Sequence, residues 1–159
     1  MPFNVRHATN SLLQRGFKEA RQDMSPMKVQ KLLFYLNGWH LAVHGKPALD
    51  TPFEAWDYGP VVPTIYRDLR EYGRGNVTSY LKDIDWEGTG SKAYVVSADC
   101  KDFHDILDLT WEKYIGFNAL QLSAMTHQPG SPWDQARKLG LEAIPDDVTR
   151  DYFVKLARS

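Results

Sequence analysis

A chain of 159 residues is long enough to bury one core, and a content of 43% hydrophobic and 13% aromatic residues excludes a largely disordered protein. The formal charge of -1 supplies no global attraction to nucleic acid or to an anionic membrane, so direct nucleic-acid binding is not expected. Cys100 is the only cysteine, which excludes an intramolecular disulfide and a cysteine-cluster zinc site; no apolar run reaches bilayer length or resembles a leader, so a soluble, cytoplasmic protein is expected.

The first helix is expected over about residues 5 to 20, with Leu12, Leu13, Phe17 and Ala20 as apolar contacts. The next has stronger end signals: Ser25 suits an N-cap, Pro26 the first helical position, and Gly45 the C-terminal stop before Pro47. Within it Val29, Leu32, Leu33, Leu36, Trp39, His40 and Val43 share one broad face. Met27, Phe34 and Leu41 form a second stripe nearly opposite, so the pattern predicts a central helix covered on both sides. Gly38 and Ala42 lie between the stripes, where another backbone could approach.

Phe53 to Tyr58 reads as extended chain, broken by Gly59 and Pro60, with helical spacing from Val61 to Tyr72 through Ile65, Leu69 and Tyr72; the constrained run Asp57 to Pro63 is expected to fix a chain reversal and a helix start. Val77 to Trp86 and Lys92 to Ser97 are candidates for a small β-ribbon turning at Gly88-Thr89-Gly90. Asp99 is expected to cap a second long helix ending near Gly116, with Phe103, Ile106, Leu107, Thr110, Trp111 and Tyr114 inward and Asp105, Asp108 and Glu112 outward. Asn118 can cap a helix through Met125, and Ser131-Pro132-Trp133 can open another that stops at Gly140. A last helix is expected over about residues 147 to 157, with Val148, Tyr152 or Phe153, and Leu156 inward. The elements describe a mainly α fold with minor β structure, one domain over residues 1–159 around a buried central helix.

Few motifs carry chemistry. His40 and His44 have the spacing of two metal ligands on a helix, but leucine stands at position 41 where a zinc protease carries its acid, and the apolar face favours a hydrogen-bonded core histidine. Cys100 and His104 could form a nucleophile and its base at a helix start; no orienting group accompanies them, and cysteine is also a common small core residue. A small metal- or cysteine-dependent hydrolase is therefore the alternative reading, and no metal or other cofactor is expected. Gly73-Arg74-Gly75 and Gly88-Thr89-Gly90 lack a full phosphate-loop fingerprint and read as turns. The acidic face at Asp102, Asp105, Asp108 and Glu112 reads as a solvated helix surface, with a basic partner as the other option.

Taken in order, the larger motifs are more specific. Lys28 to Tyr35 with Gly38-Trp39-His40, Lys46-Pro47, Phe53 to Trp56, and Tyr58 to Pro63 with Ile65-Tyr66 are followed by Leu122 to His127 and Ser131-Pro132-Trp133. This succession resembles the Panacea domain of the SocA-like and GepA-like antitoxins of bacteria and their phages, over about residues 8 to 140. The resemblance implies a non-enzymatic, phage-associated or bacterial antitoxin that neutralises a cognate toxin by direct contact. It also implies a protease as a further partner, because a SocA-like member delivers its toxin as an adaptor. On this resemblance Lys31, Trp39, His40, Trp56, Thr126, His127, Pro132 and Trp133 are signature residues of the fold. Partner binding is expected around the constrained turn at Tyr58, Gly59 and Pro60 and at the following Tyr66, Arg67 and Arg70. The chain departs from fused members of that family: its length is expected to leave no room for a separate DNA-binding domain.

Overall fold

The computed structural model describes residues 1–84 and 91–159. Among the described residues the fold is mainly helical, with seven α-helices and two short antiparallel ribbons. Helix α1 covers Val5–Lys18 and α2 covers Pro26–His44. Strands β1 (Glu54–Trp56) and β2 (Gly59–Val61) precede α3 (Pro63–Leu69), which tightens into a 3-10 turn over Arg70–Tyr72. Strands β3 (Asp83–Ile84) and β4 (Ser91–Lys92) lead to α4 (Lys101–Tyr114), α5 (Ala119–Thr126), α6 (Pro132–Lys138) and α7 (Asp146–Arg158).

Helix α2 is the axis of the molecule, and α1, α3, α4, α5 and α7 all pack on it. Its ends are those the local signals dictate: the Ser25 hydroxyl accepts from Lys28 N, Pro26 occupies the first turn, and Gly45 closes the helix at φ 74°. Every residue from Lys28 to Leu41 is buried. A helix covered all round must satisfy the polar groups it carries, and α2 does so by bonding loops. Asn37 Oδ1 accepts from the backbone N–H of Ala48 and Leu49, and His40 Nδ1 lies 2.7 Å from the Lys46 carbonyl. Burial pushes the His40 imidazole below its ordinary pKa, with the Lys46 carbonyl opposing that shift.

The far side of α2 is an aromatic cluster. Phe153 of α7 meets Phe34, Tyr35 and Trp39 edge to face, and Tyr35 stacks on Tyr114 of α4 at 4.1 Å. Gly38 makes this possible, since a Cβ there would stand 2.2 Å from the Phe153 ring. The close approach is thus by a side chain of α7, not by a backbone. Helix α1 contributes buried polar anchors: Asn10 brackets Leu81 through its N–H and carbonyl and also reaches the Tyr94 carbonyl, and Ser11 Oγ accepts from Val96 N. These bonds hold the irregular segment before α4 against the core.

Several expectations are corrected. Ala20 lies past the end of α1, exposed and at φ 52°. Val43 is 57% exposed because the last turn of α2 emerges from the core. Cys100, not Asp99, sits at the cap of α4, without a side-chain bond to the helix, although the six inward residues of α4 are those the spacing predicts. In α7 the buried residues are Thr149 and Phe153; Val148 is half-buried and Leu156 exposed, because the helix is turned to seat Phe153 in the Gly38 notch. The β3–β4 ribbon is only two residues long on each strand, and the turn expected at Gly88-Thr89-Gly90 lies outside the described residues.

Candidate partner-binding site

The chain reversal expected over Asp57 to Pro63 is present, and it takes the form of a hairpin that pairs Gly59 and Pro60 back on β1. Trp56 faces Gly59, Ala55 faces Pro60 and Glu54 faces Val61, with Asp57 and Tyr58 forming the turn; helical geometry starts only at Pro63. Pro60 is tolerated because it lies on an edge strand, where its missing N–H leaves no ladder bond unmade. On the other side of β1, Glu54 pairs with Ala143, and the Ala55 and Ile144 amides donate to the Glu142 and Phe53 carbonyls.

What holds this hairpin is a ring of side chains from distant helices. Arg137 of α6 donates to the Ala55 carbonyl at 2.9 Å, and Trp133 Nε1 to the Trp56 carbonyl at 2.6 Å. His127 Nε2 faces the Asp57 carbonyl at 3.1 Å, Ser123 Oγ donates to the Tyr58 carbonyl at 3.2 Å, and Lys31 Nζ to the Pro60 carbonyl at 3.3 Å. Gln30 of α2 exchanges two bonds with the Val62 backbone. Side chains meet five carbonyls of the eight-residue hairpin over residues 54–61, so its position is set by α2, α5 and α6 together. Thr126 donates to the Ser123 carbonyl and accepts nothing from the hairpin, but its hydroxyl would stand 3.0 Å from any Cβ at Gly59, whose φ is 110°. Ser131 caps α6 and donates to the Thr126 carbonyl, tying α5 to α6 through the buried Pro132 turn. His127 and Trp133 pack at 4.1 Å between ring centres.

Of the expected signature residues, the structure therefore brings Lys31, Trp56, Thr126, His127, Pro132 and Trp133 to one place. Trp39 and His40 stand apart from it, in the aromatic cluster and at the Lys46 loop. Of the residues expected on the partner surface, Gly59 and Pro60 are buried, whereas Tyr58 is 71% and Tyr66 44% exposed. Tyr66 lies edge-on to Trp56 at 5.0 Å. Arg67 and Arg70 are exposed, and among the described residues neither pairs with a carboxylate; Ile65 and Leu69 point into the core as expected. Sequence reasoning missed Gln30, Ser123 and Arg137. The last two were within reach, since Ser123 precedes His127 and Arg137 follows Trp133 by one helical turn each.

Lys31 is 1% exposed, and burial without a counter-charge lowers its ammonium to about 8 from the ordinary 10.5. Between those values the unfolded lysine binds more protons than the folded one, so stability rises as pH climbs from about 8 to 10.5, and below pH 8 the buried charge costs its full share. Lys31→Met is expected to raise the unfolding free energy at pH 7 by about 2 kcal/mol, the relieved charge less the lost Pro60 bond, and to flatten that rise. Denaturant titrations at pH 7 and pH 10 measure both. Equal stability of the two proteins at pH 7 with parallel pH dependence would remove the buried charge from this account.

The other candidate chemistry does not assemble in the same way. The His40 and His44 rings lie 4.9 Å apart, and among the described residues no group of three or more His, Cys, Asp or Glu side chains could hold a metal. His104 turns Nε2 to the carbonyls of Val96 and Ser97, and makes no bond to the Cys100 thiol. On the outer face of α4, Asp105 pairs with Lys101 and Asp108 with Arg15, so much of that negative charge is met within the protein. Among the described residues no helix is long and apolar enough to cross a membrane.

Comparison with known proteins places this geometry. The chain is 32% identical to Antitoxin SocA of Caulobacter vibrioides (strain NA1000 / CB15N) over 160 aligned positions, covering 94% of this chain and 82% of that protein. No solved structure matches it. The family described as Antitoxin SocA-like, Panacea domain, matches residues 29–134, which run from the first turn of α2 through the hairpin to Trp133 and Asp134 of α6. The chain belongs to the SocA-like antitoxin family that carries the Panacea domain.

Proposed function

We propose that this chain is a non-enzymatic, cytoplasmic antitoxin that neutralises a cognate toxin by direct contact through the face built on the β1–β2 hairpin. The observation that supports this reading most is the clamped hairpin itself. Its backbone is fixed by α2, α5 and α6, so the tyrosine it exposes, Tyr58, enters a complex with little freedom left to lose. Tyr66 lines the same cavity as Tyr58, and Arg67 and Arg70, without a carboxylate partner among the described residues, follow on the same segment. Aromatic and arginine side chains on a rigid base are the usual anchors of an interface.

Charge reversal at both arginines, Arg67→Glu with Arg70→Glu, is expected to leave thermal stability within about 0.5 kcal/mol of the parent, as exposed substitutions do. It is expected to abolish growth rescue of cells expressing the toxin encoded by the adjacent open reading frame, together with co-purification of the two proteins. A folded double variant that still rescues growth and still retains the toxin moves the interface elsewhere. In the same cells, a toxin half-life that shortens when the antitoxin is present marks delivery to a protease, and an unchanged half-life marks neutralisation by occupancy alone.

A further inference from the structure

A cavity of about 170 Å³ opens beside the hairpin, formed by Trp56, Tyr58 and Tyr66 together with Pro26, Met27 and Lys31. Small-molecule sites start at about 300 Å³, so this space suits one side chain, not a cofactor. Lys31 is the charged residue of its wall. α2 carries two buried lysines, and their surroundings differ. Lys28 Nζ donates to the Asp23 carboxylate and to the Ile115 carbonyl, both at 2.8 Å. Lys31 Nζ has one partner among the described residues, the Pro60 carbonyl at 3.3 Å, and no carboxylate within 4.0 Å. An ammonium has three protons to donate, and a buried cation so poorly met retains a strong attraction for an anion.

We propose that this cavity receives an acidic side chain of the protein partner, its carboxylate paired with Lys31 and its methylene stem against Trp56 and Tyr66. The inference rests on the reading of the chain as a partner-binding antitoxin. The aromatic walls exclude water from the pair, which strengthens it. The surrounding surface carries the matching charge, for Arg67 and Arg70 stand exposed and unpaired among the described residues just beyond Tyr66. A partner face that is acidic throughout therefore complements both the cavity and its rim.

The test uses a random dodecapeptide library, acetylated and amidated at its ends, selected on the intact protein. Selected binders are expected to carry an acidic residue beside an apolar one. Changing that acidic residue to its amide should weaken binding to the parent protein at least about tenfold and leave binding to Lys31→Met unchanged. Tyr66→Glu, at a position 44% exposed, should lose the same acidic peptides by adding a like charge at the mouth. The proposal is overturned if no acidic residue is enriched, or if changing the acidic residue to its amide weakens binding to both proteins equally. Acidic peptides seated in the cavity of a protein that fails to hold the adjacent toxin would retain this inference and remove the antitoxin reading. A toxin held equally by the parent and by Lys31→Met would retain that reading and remove this inference.

Discussion

Trp39→Ala is expected to lower the free energy of unfolding by about 3–5 kcal/mol, the range seen when a buried aromatic leaves a cavity its neighbours cannot fill. Trp39 is buried on α2, its ring meets Phe153 of α7 edge to face at 5.2 Å, and its Nε1 donates to the Tyr114 hydroxyl at 2.9 Å. Truncation removes three things at once: the apolar area, the aromatic contact, and the donor on which a buried tyrosine hydroxyl depends. The Lys113 ammonium, 5.4 Å from the same ring, loses its contact as well. Urea unfolding measures the effect. With a slope of about 2 kcal/mol per molar, the midpoint should fall by roughly 2 M at unchanged slope. A midpoint equal to that of the parent would mean that α2 does not bury this face, and the central position of the helix would have to be abandoned.

Gly59→Ala is expected to cost about 3 kcal/mol and to displace the hairpin from its clamp. Gly59 holds φ at 110°, a conformation that side chains rarely adopt and that strains the backbone by about 1–3 kcal/mol when they do. Space is short too, since a Cβ would stand 2.9 Å from Lys31 Cε, 3.0 Å from Thr126 Oγ1 and 3.2 Å from Lys31 Nζ. Both neighbours are buried, and moving Lys31 separates its ammonium from the Pro60 carbonyl, its one hydrogen-bond partner among the described residues. Gly116→Ala is the control: its φ is not positive and nothing lies within 4 Å of the added Cβ, so little cost is expected. Thermal melts of the two variants should differ clearly, with Gly59→Ala alone losing toxin rescue. Equal melting temperatures for the pair would show that the close packing of Gly59 on Lys31 and Thr126 does not constrain the hairpin.

Much of the helical frame is local information. Ser25, Pro26 and Gly45 mark the ends of α2 because capping and proline preferences are settled within one turn of chain. The inward face of α4 follows from spacing alone, since six residues at helical intervals can meet a core on only one side. Asn118 with Gln121, and Ser131 with Asp134, likewise start α5 and α6 through bonds between residues three apart. The order of the motifs along the chain carried the family resemblance without any knowledge of where they meet.

The site was less legible, because its bonds join residues far apart in sequence. Gly and Pro in succession weaken any local preference for a strand, so the chain by itself reads Gly59-Pro60 as an interruption. Pairing wins because Lys31, Ser123, His127, Trp133 and Arg137 bring donors to the hairpin carbonyls from 29 to 82 residues away. The choice between Tyr152 and Phe153 has the same origin: neighbouring aromatics differ by a small rotation of α7, and only the notch at Gly38 decides which one enters. Composition, caps and periodicity thus determined which segments become helices and which faces of α2 and α4 are apolar, since those preferences act within a few residues. The tertiary structure alone decided that six of the eight signature residues converge on one hairpin and that Lys31 is buried beside it without a carboxylate among the described residues, since hydrogen-bond partners and local dielectric are set by whatever the fold brings into contact.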